Sequence, residues 1–144
     1  MLITILLALT LFGLCGILHY AVMSSLLSRL PRSGWSQGAQ LVAGLYCVGL
    51  TYLGEAGLYA VGFALGESLG VGGFKGVSGT VSLMDISYFS LVNYTSLGLG
   101  DIYPTGHLSF LAGVESLNGF LLISCSASFI FLLMSDNQSN ASAD

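Results

Sequence analysis

Three long apolar runs constrain this chain more than any other feature of its sequence. They extend from about Leu2 to Leu27, from about Ala39 to Leu65 and from about His107 to Met134, and none of them contains Lys or Arg. A helix needs about 20 apolar residues to cross the hydrocarbon core of a bilayer. Because each run exceeds that length, the sequence predicts an all-α membrane protein with three transmembrane helices.

Composition agrees with this class and excludes several others. Hydrophobic residues make up 54% of the 144 residues and charged residues only 7%, whereas soluble domains carry about 25% charged residues. The net charge of −4 leaves no basic face for nucleic acid. Cys15, Cys47 and Cys125 show no C-x-x-C spacing, so neither a disulfide framework nor a zinc site is predicted. No nucleophile–base spacing, phosphate loop or dinucleotide motif indicates an enzyme, a cofactor or a small-molecule substrate.

The segment between the first two runs sets the expected orientation. Residues 28–35, S-R-L-P-R-S-G-W, hold both arginines, a proline and the only tryptophan. Lys and Arg concentrate in cytoplasmic loops, and Trp concentrates at the membrane interface. The sequence therefore predicts a multi-pass protein of the plasma (inner) membrane with its N-terminus outside. The C-terminal tail, residues 135–144, is expected to be cytoplasmic, short, polar and disordered.

A glycine-rich stretch and a short helix separate the second and third runs. Six glycines lie between Gly66 and Gly79, so residues 66–81 are expected to form a flexible turret. Ser82 followed by Asp85 is a helix-start signature, and it predicts a helix over residues 82–94 that is too short to span a bilayer. A short buried helix followed by a glycine loop indicates a re-entrant segment, because non-helical backbone at membrane depth must be buried in protein or line a water-filled path.

Residues 88–104, Y-F-S-L-V-N-Y-T-S-L-G-L-G-D-I-Y-P, carry a resemblance to a known family. They resemble the pore loop of the tetrameric potassium channel superfamily, whose signature is T-x-G-Y-G-D or T-x-G-F-G-D after a short aromatic-rich helix. The T-x-G-L-G-D of the second pore loop of two-pore-domain potassium channels is closer still. The resemblance covers about half of the chain and implies a homotetramer in membrane lipid, with K⁺ as the permeant ion and no cofactor. It divides the chain into a peripheral helix and cytoplasmic loop (1–37), a pore domain (38–134: outer helix 39–65, turret 66–81, pore helix 82–94, filter 95–101, inner helix 107–134) and the tail.

Backbone chemistry at T-S-L-G-L-G-D, residues 95–101, agrees with the resemblance. Rings of backbone carbonyls replace the water shell of a dehydrated cation when several chains meet at one axis. Consecutive carbonyls point inward only if some residues take backbone angles that side chains disfavour, which Gly98 and Gly100 tolerate. Leu97 and Leu99 are then expected to point backwards into the packing behind the loop. The resemblance places K⁺ at the filter carbonyls and Asp101 at the outer mouth, and the predicted ion-binding residues are Thr95, Ser96, Leu97, Gly98, Leu99 and Gly100.

Two positions depart from the family signature. Leu99 replaces the tyrosine of G-Y-G and loses a hydroxyl partner behind the filter, and Ser96 stands where threonine is usual. Serine lacks the methyl group that restricts the threonine rotamer, so both changes are expected to loosen the filter. Potassium selectivity is the leading prediction. A non-selective monovalent cation channel that also passes Na⁺ and a non-conducting membrane scaffold or accessory subunit are the alternatives.

Two acids lie inside predicted spanning helices, where an unpartnered carboxylate is costly. At about 1.5 Å per residue, Glu55 and Glu115 both fall at the depth of the filter. Each is either an acid behind the filter that contacts Asn93, Tyr94 or Thr95, or a protonated structural acid. For Glu115, which is grouped with Asn93 and Tyr94 as filter support, the two interpretations are balanced. For Glu55 the structural interpretation is favoured.

The third apolar run carries a stripe of candidate cavity residues. Leu121, Ser124 and Ser128 lie at i, i+3 and i+7, so they share one helix face. They are predicted to line an inner cavity, and the alternative is polar packing between helices. Gly119 is either a gating hinge or a point of close helix packing. In the first run, His19 is expected to be a hydrogen-bonded structural residue.

Overall fold

The computed structural model describes residues 1–76 and 79–141, with residues 133–141 described as backbone alone. Four α-helices and two short strands account for most of this part of the chain. A 3₁₀ turn, Leu30–Arg32, follows the first helix directly. In chain order the elements are α1 (Leu2–Arg29), α2 (Gln37–Ser68), β1 (Phe74–Lys75), α3 (Leu83–Tyr94), β2 (Tyr103–Pro104) and α4 (Leu108–Ala141).

Three helical segments in the described residues are long and apolar enough to cross a membrane. They are Leu2–Arg32, Gln37–Ser68 and Leu108–Leu132. The all-α membrane fold predicted from the apolar runs is therefore confirmed. Pro31 lies in the turn that ends α1, where its missing N–H and fixed φ prevent the helix from continuing.

The short helix α3 begins at a complete capping box. The Ser82 hydroxyl accepts the backbone N–H of Asp85 at 3.2 Å, and the Asp85 carboxylate accepts the backbone N–H of Ser82 at 2.8 Å. These bonds satisfy donors that a helix start would otherwise leave free. Hydrogen bonds from the Ser82 hydroxyl and backbone hold the pKa of Asp85 below its ordinary range.

The turret contains a strand that the sequence analysis did not predict. β1 pairs antiparallel with β2, with Phe74 opposite Pro104 and Lys75 opposite Tyr103. Phe74 packs edge-on against Phe89 of α3, which anchors the pairing on the core. The predicted flexible turret, residues 66–81, is thus tied to the segment that follows the filter, and Val77 and Ser78 within it lie outside the described residues.

Helix α4 differs from the prediction at its C-terminal end. The sequence analysis ended this helix at Met134 and expected a disordered tail over residues 135–144. The backbone is instead helical as far as Ala141, and residues 142–144 lie outside the described part. The physical reason is that no Gly or Pro follows Gly119 to stop the helix.

Helix α3 packs between α2 and α4, and α1 packs against the same two helices. The main core lies at the level of α3, and a smaller apolar cluster joins α1, α2 and α4 nearer the loop between α1 and α2. Gly62 of α2 lets α1 approach closely, because a Cβ at that position would lie 2.4 Å from Leu11 Cδ1. This arrangement brings α1 to the same core that supports α3.

Candidate functional site

The loop that follows α3 is continuous with the carbonyl end of that helix. The Ser96 N–H donates to the Asn93 carbonyl at 2.9 Å, and the Leu97 N–H donates to the Val92 carbonyl at 3.1 Å. The Thr95 hydroxyl donates back to the α3 backbone as well. Residues 95–101 therefore start beside the negative end of the helix dipole, which favours a nearby cation.

Backbone angles alternate in sign along this loop. Ser96 has φ +59°, Gly98 has φ +55° and Gly100 has φ +78°, whereas φ is negative at Leu97 and Leu99. Ser96 is the only non-glycine residue with positive φ in the described part of the chain. Alternation of this kind turns successive peptide planes the same way. The backbone N–H groups then lie on one side of the chain, and the carbonyls lie on the other side. An ordinary strand would instead point its carbonyls to alternate sides.

The two leucines of the loop are exposed in the single chain. Leu97 is 71% exposed and Leu99 is 64% exposed. Leu99 shares the lining of a small cavity with Phe89 and Val92 of α3. Packing of Leu97 and Leu99 behind the loop concerns the assembled protein, and it stays a prediction.

The outer end of the loop is fixed from two sides. The Tyr88 hydroxyl donates to Asp101 Oδ2 at 2.9 Å, and this bond raises the pKa of Tyr88 above its ordinary value. From the turret, Gly76 lies against the backbone of Asp101, with φ +99°, and a Cβ there would lie 1.8 Å from the Asp101 carbonyl oxygen. Only glycine fits a position with that angle and that clearance.

Glu115 is fully buried behind α3. Its Oε1 is hydrogen-bonded to the Ser90 hydroxyl, and its Oε2 accepts from Asn93 Nδ2 at 2.6 Å. Asn93 Nδ2 also donates to the Ala112 carbonyl at 2.9 Å, and the Ser90 hydroxyl lies 2.6 Å from the Ala56 carbonyl. Glu115 therefore joins α4 to the last two turns of α3.

Glu55 is also fully buried, and its partners come from two other helices. Its Oε2 accepts the Tyr94 hydroxyl of α3 at 2.5 Å, and its Oε1 lies 3.1 Å from His19 Nδ1 of α1. On the other side of the ring, His19 Nε2 lies 3.0 Å from the Ser126 hydroxyl of α4. Sequence reasoning missed Ser126, and its only signal was a hydroxyl at suitable depth in an apolar run.

The candidate cavity stripe of α4 is exposed along its length in the single chain. The hydroxyl of Ser124 donates back to the Phe120 carbonyl at 2.8 Å. Ser128 lies on the rim of a groove between α1 and α4. Its side of α4 therefore partly faces α1. Leu121 is 43% exposed. The role of Leu121, Ser124 and Ser128 in a cavity stays a prediction.

Gly119 lies where α4 passes closest to α3. A Cβ at this position would lie 2.0 Å from the Tyr94 carbonyl oxygen. Close packing therefore accounts for a glycine here, and α4 is helical on both sides of it. A hinge at Gly119 stays a prediction.

Comparison with known families gives one match. A family model described as "Ion channel" matches residues 57–136, which is more than half of the 144 residues. No curated protein and no solved structure matches the chain. The matched region includes α3, the loop and Glu115, whereas α1 and Glu55 lie before its first residue.

Proposed function

The chain belongs to the ion channel family, and from that premise we propose that it is a potassium-selective channel built from four identical copies around one axis. The family match and the three apolar helices make the chain an integral membrane protein of an ion channel family. The proposal adds K⁺ as the ion, T-S-L-G-L-G-D as the filter and four as the number of copies. The protein is then a passive conductor of ions, with no cofactor and no enzymatic reaction.

The alternation of φ along residues 96–100 carries this proposal. Positive values at Ser96, Gly98 and Gly100, separated by negative values at Leu97 and Leu99, favour carbonyls that converge on one side. Such rows of carbonyls replace the hydration shell of K⁺ when several copies face one another. The positive φ at Ser96 also closes the C-terminal end of α3, because the N–H groups of Ser96 and Leu97 bond the Asn93 and Val92 carbonyls as in a left-handed helix cap. Gly98 and Gly100 are therefore the positions that support a carbonyl row most directly.

The exposed surfaces support assembly of several copies. Leu97 and Leu99 are exposed, and the α3 residues Leu83 and Met84 are 73% and 77% exposed. One loop supplies only one side of each carbonyl ring, so conduction requires further copies around the axis. Neighbouring copies in a homotetramer would cover these apolar side chains and provide the missing wall behind the loop.

The proposed orientation puts the filter near the outer surface of the plasma membrane. The arginine-containing loop between α1 and α2 is placed in the cytoplasm, together with the C-terminal end of α4. Asp101 then lies at the outer mouth, where its carboxylate concentrates cations before they lose their water. Thr95 and Ser96 lie at the inner end, beside the carbonyl end of α3.

The test is current through planar bilayers that contain the purified protein, with K⁺ on one side and Na⁺ on the other. A reversal potential close to the potassium equilibrium value is expected. A reversal near zero would replace potassium selectivity by a non-selective monovalent cation pore. Absence of current, while a reference channel conducts in the same bilayer, would favour a non-conducting scaffold or accessory subunit.

Two glycines with similar backbone angles provide a matched control for the filter itself. Gly98 has φ +55°, and Gly34, in the loop between α1 and α2, has φ +69°. A Cβ added at either position would have no neighbour within 4 Å among the described residues. Alanine therefore costs each site a similar strain. Gly98→Ala is expected to abolish selective current, and Gly34→Ala is expected to preserve it.

A further inference from the structure

We propose that α1 contributes to ion selectivity through His19. In this proposal His19 and Glu55 are positioning residues that hold Tyr94 in place, and Tyr94 in turn holds the inner end of the filter. The inference rests on the proposed function, because it assigns a role in selectivity. Tyr94 is the last residue of α3 and directly precedes Thr95. A displacement of Tyr94 therefore reaches the first filter residue through a single peptide bond.

A continuous buried hydrogen-bond chain connects α1 with this position. It runs from Ser126 of α4 to His19 of α1 (3.0 Å), from His19 to Glu55 of α2 (3.1 Å), and from Glu55 to the Tyr94 hydroxyl (2.5 Å). Glu55 and Tyr94 are completely buried, and His19 is 3% exposed. One buried row of hydrogen bonds thus joins residues of all four helices.

Contacts between aromatic rings also connect His19 with Tyr94, in addition to the hydrogen bonds. The ring of His19 stacks on Tyr52 with centroids 6.1 Å apart, and Tyr52 lies against Tyr94 with the same centroid separation. The Cys15 thiol lies 3.9 Å from the Glu55 carbonyl oxygen. Tyr94 is therefore held at its hydroxyl through Glu55 and at its ring through Tyr52, and both routes lead back to His19.

This chain of contacts extends beyond the region that matches the family. The matched region starts at residue 57, so His19, Tyr52 and Glu55 all lie before it, whereas Tyr94 and Ser126 lie within it. A buried acid in a spanning helix is costly unless partners satisfy it. Here each carboxyl oxygen has one hydrogen-bond partner, and the partner from α3 is the residue that adjoins the filter. A carboxyl group needed only to join α1 to α2 would require no bond to Tyr94.

The test compares permeability ratios for K⁺ over Na⁺ in bilayers of one lipid composition. Tyr94→Phe removes the hydroxyl but keeps the ring, and His19→Leu removes the ring nitrogen that is hydrogen-bonded to Glu55. Each is expected to lower the ratio about tenfold, which corresponds to the loss of one hydrogen bond of ordinary net strength. His19→Asn, whose amide nitrogen stands in for Nδ1, is expected to restore the ratio.

Two controls separate positioning from simple support of the fold. Thr4→Val changes another buried residue of α1, whose hydroxyl has no hydrogen-bond partner among the described residues, and it should leave the ratio unchanged. The double variant His19→Leu/Tyr94→Phe should be no less selective than either single variant, because both act on one chain of contacts. Additive losses would overturn the single chain.

The inference is overturned if Tyr94→Phe assembles normally and keeps the wild-type ratio, whatever happens to its thermal stability. Should His19→Leu fail to assemble, the conservative Tyr94→Phe variant decides alone. A wild-type protein that reverses near zero would instead defeat the proposed selectivity. In that case the same variants are compared by single-channel conductance, where the inference expects a fall for Tyr94→Phe and none for Thr4→Val.

Discussion

Glu55 and Glu115 are the two fully buried acids of this chain's described part, and they are held in different ways. Glu115 finds its side-chain partners on α3 alone, within the region that matches the ion channel family. Glu55 lies outside that region and bonds α1 as well as α3. One acid therefore has all its side-chain partners within the matched region, and the other joins an additional helix to that region.

The hydrogen-bond donors around the two acids also differ. The Ser90 hydroxyl has one proton but two oxygen neighbours, the Ala56 carbonyl and Glu115 Oε1. When Ser90 donates to Ala56, the carboxyl group of Glu115 must donate to Ser90, which requires protonated Glu115. Around Glu55, Oε2 accepts the Tyr94 hydroxyl, and Oε1 lies beside His19 Nδ1, which donates in the tautomer that carries its proton on Nδ1. In that tautomer both carboxyl oxygens of Glu55 accept, whereas Glu115 must donate when Ser90 donates to Ala56.

The largest expected effect separates the two acids by leucine substitution. Glu55→Leu leaves the Tyr94 hydroxyl and one nitrogen of His19 unpaired, and Glu115→Leu leaves one N–H of Asn93 unpaired. Each unsatisfied buried group costs about 1–3 kcal/mol, so Glu55→Leu should destabilise the protein by about 2–6 kcal/mol and Glu115→Leu by roughly half as much. Unfolding free energies in mixed detergent–SDS micelles measure the difference.

The smaller cost at Glu115 follows from the spare acceptors around it. Ser90 keeps the Ala56 carbonyl and Asn93 keeps the Ala112 carbonyl after the substitution. An equal or larger loss for Glu115→Leu would show that α1 adds little to the stability of the core. The proposed difference between Glu115, with side-chain partners on α3 alone, and Glu55, which also bonds α1, would then have no energetic basis.

The sequence predicted the helices and α3 well, because long apolar runs and the Ser82–Asp85 signature are local signals. It did not predict how the helices are rotated about their axes. α1 is apolar on most of its circumference, so the pattern does not show which side carries His19 towards Glu55. The pairing of β1 with β2 was also missed, since strands of two residues have no period to detect.

The packing of Leu97 and Leu99 depends on neighbouring copies. In one chain both side chains are exposed, so their predicted position behind the loop concerns the assembly. The loop backbone is a local property, and glycine placement alone predicted positive φ at Gly98 and Gly100. Positive φ at Ser96 carried no such signal, because serine rarely adopts that angle.

A glycine on α4 tests whether the two acid sites behave as separate units. Gly119 presses on the Tyr94 carbonyl, and Glu115 lies one turn earlier on the same helix. Gly119→Ala would push the end of α3 away from α4 and disturb both sites, at a cost of about 1–3 kcal/mol typical of overpacking. Reduced K⁺ over Na⁺ selectivity should accompany the loss of stability.

Gly113 is the matched control on α4. A Cβ there has no neighbour within 4 Å in the part of the chain that the structure describes, so Gly113→Ala should raise stability by up to about 1 kcal/mol through helix propensity. Its selectivity should equal that of the wild type. If Gly119→Ala changes stability and selectivity no more than Gly113→Ala does, the contact with Tyr94 does not contribute to stability. The two acid sites are then independent.

The smallest expected effect comes from Glu115→Gln, and it tests whether Glu115 carries the proton that is required when Ser90 donates to Ala56. Glutamine offers one N–H₂ and one carbonyl oxygen, so its amide can donate to Ser90 and accept from Asn93 as the protonated acid does. Stability should therefore change by less than about 1 kcal/mol, since the bonds of ordinary net strength are kept. Glu55→Gln is the informative counterpart. When His19 carries its proton on Nδ1, both partners of residue 55 need an acceptor, and the N–H₂ of glutamine must face one of them. Glu55→Gln should cost about 1–3 kcal/mol, measured by the same unfolding in detergent–SDS micelles. A Glu115→Gln variant that loses as much as Glu55→Gln would mean that Glu115 needs both oxygens as acceptors, and the two acids would then differ in their partners but not in their chemistry.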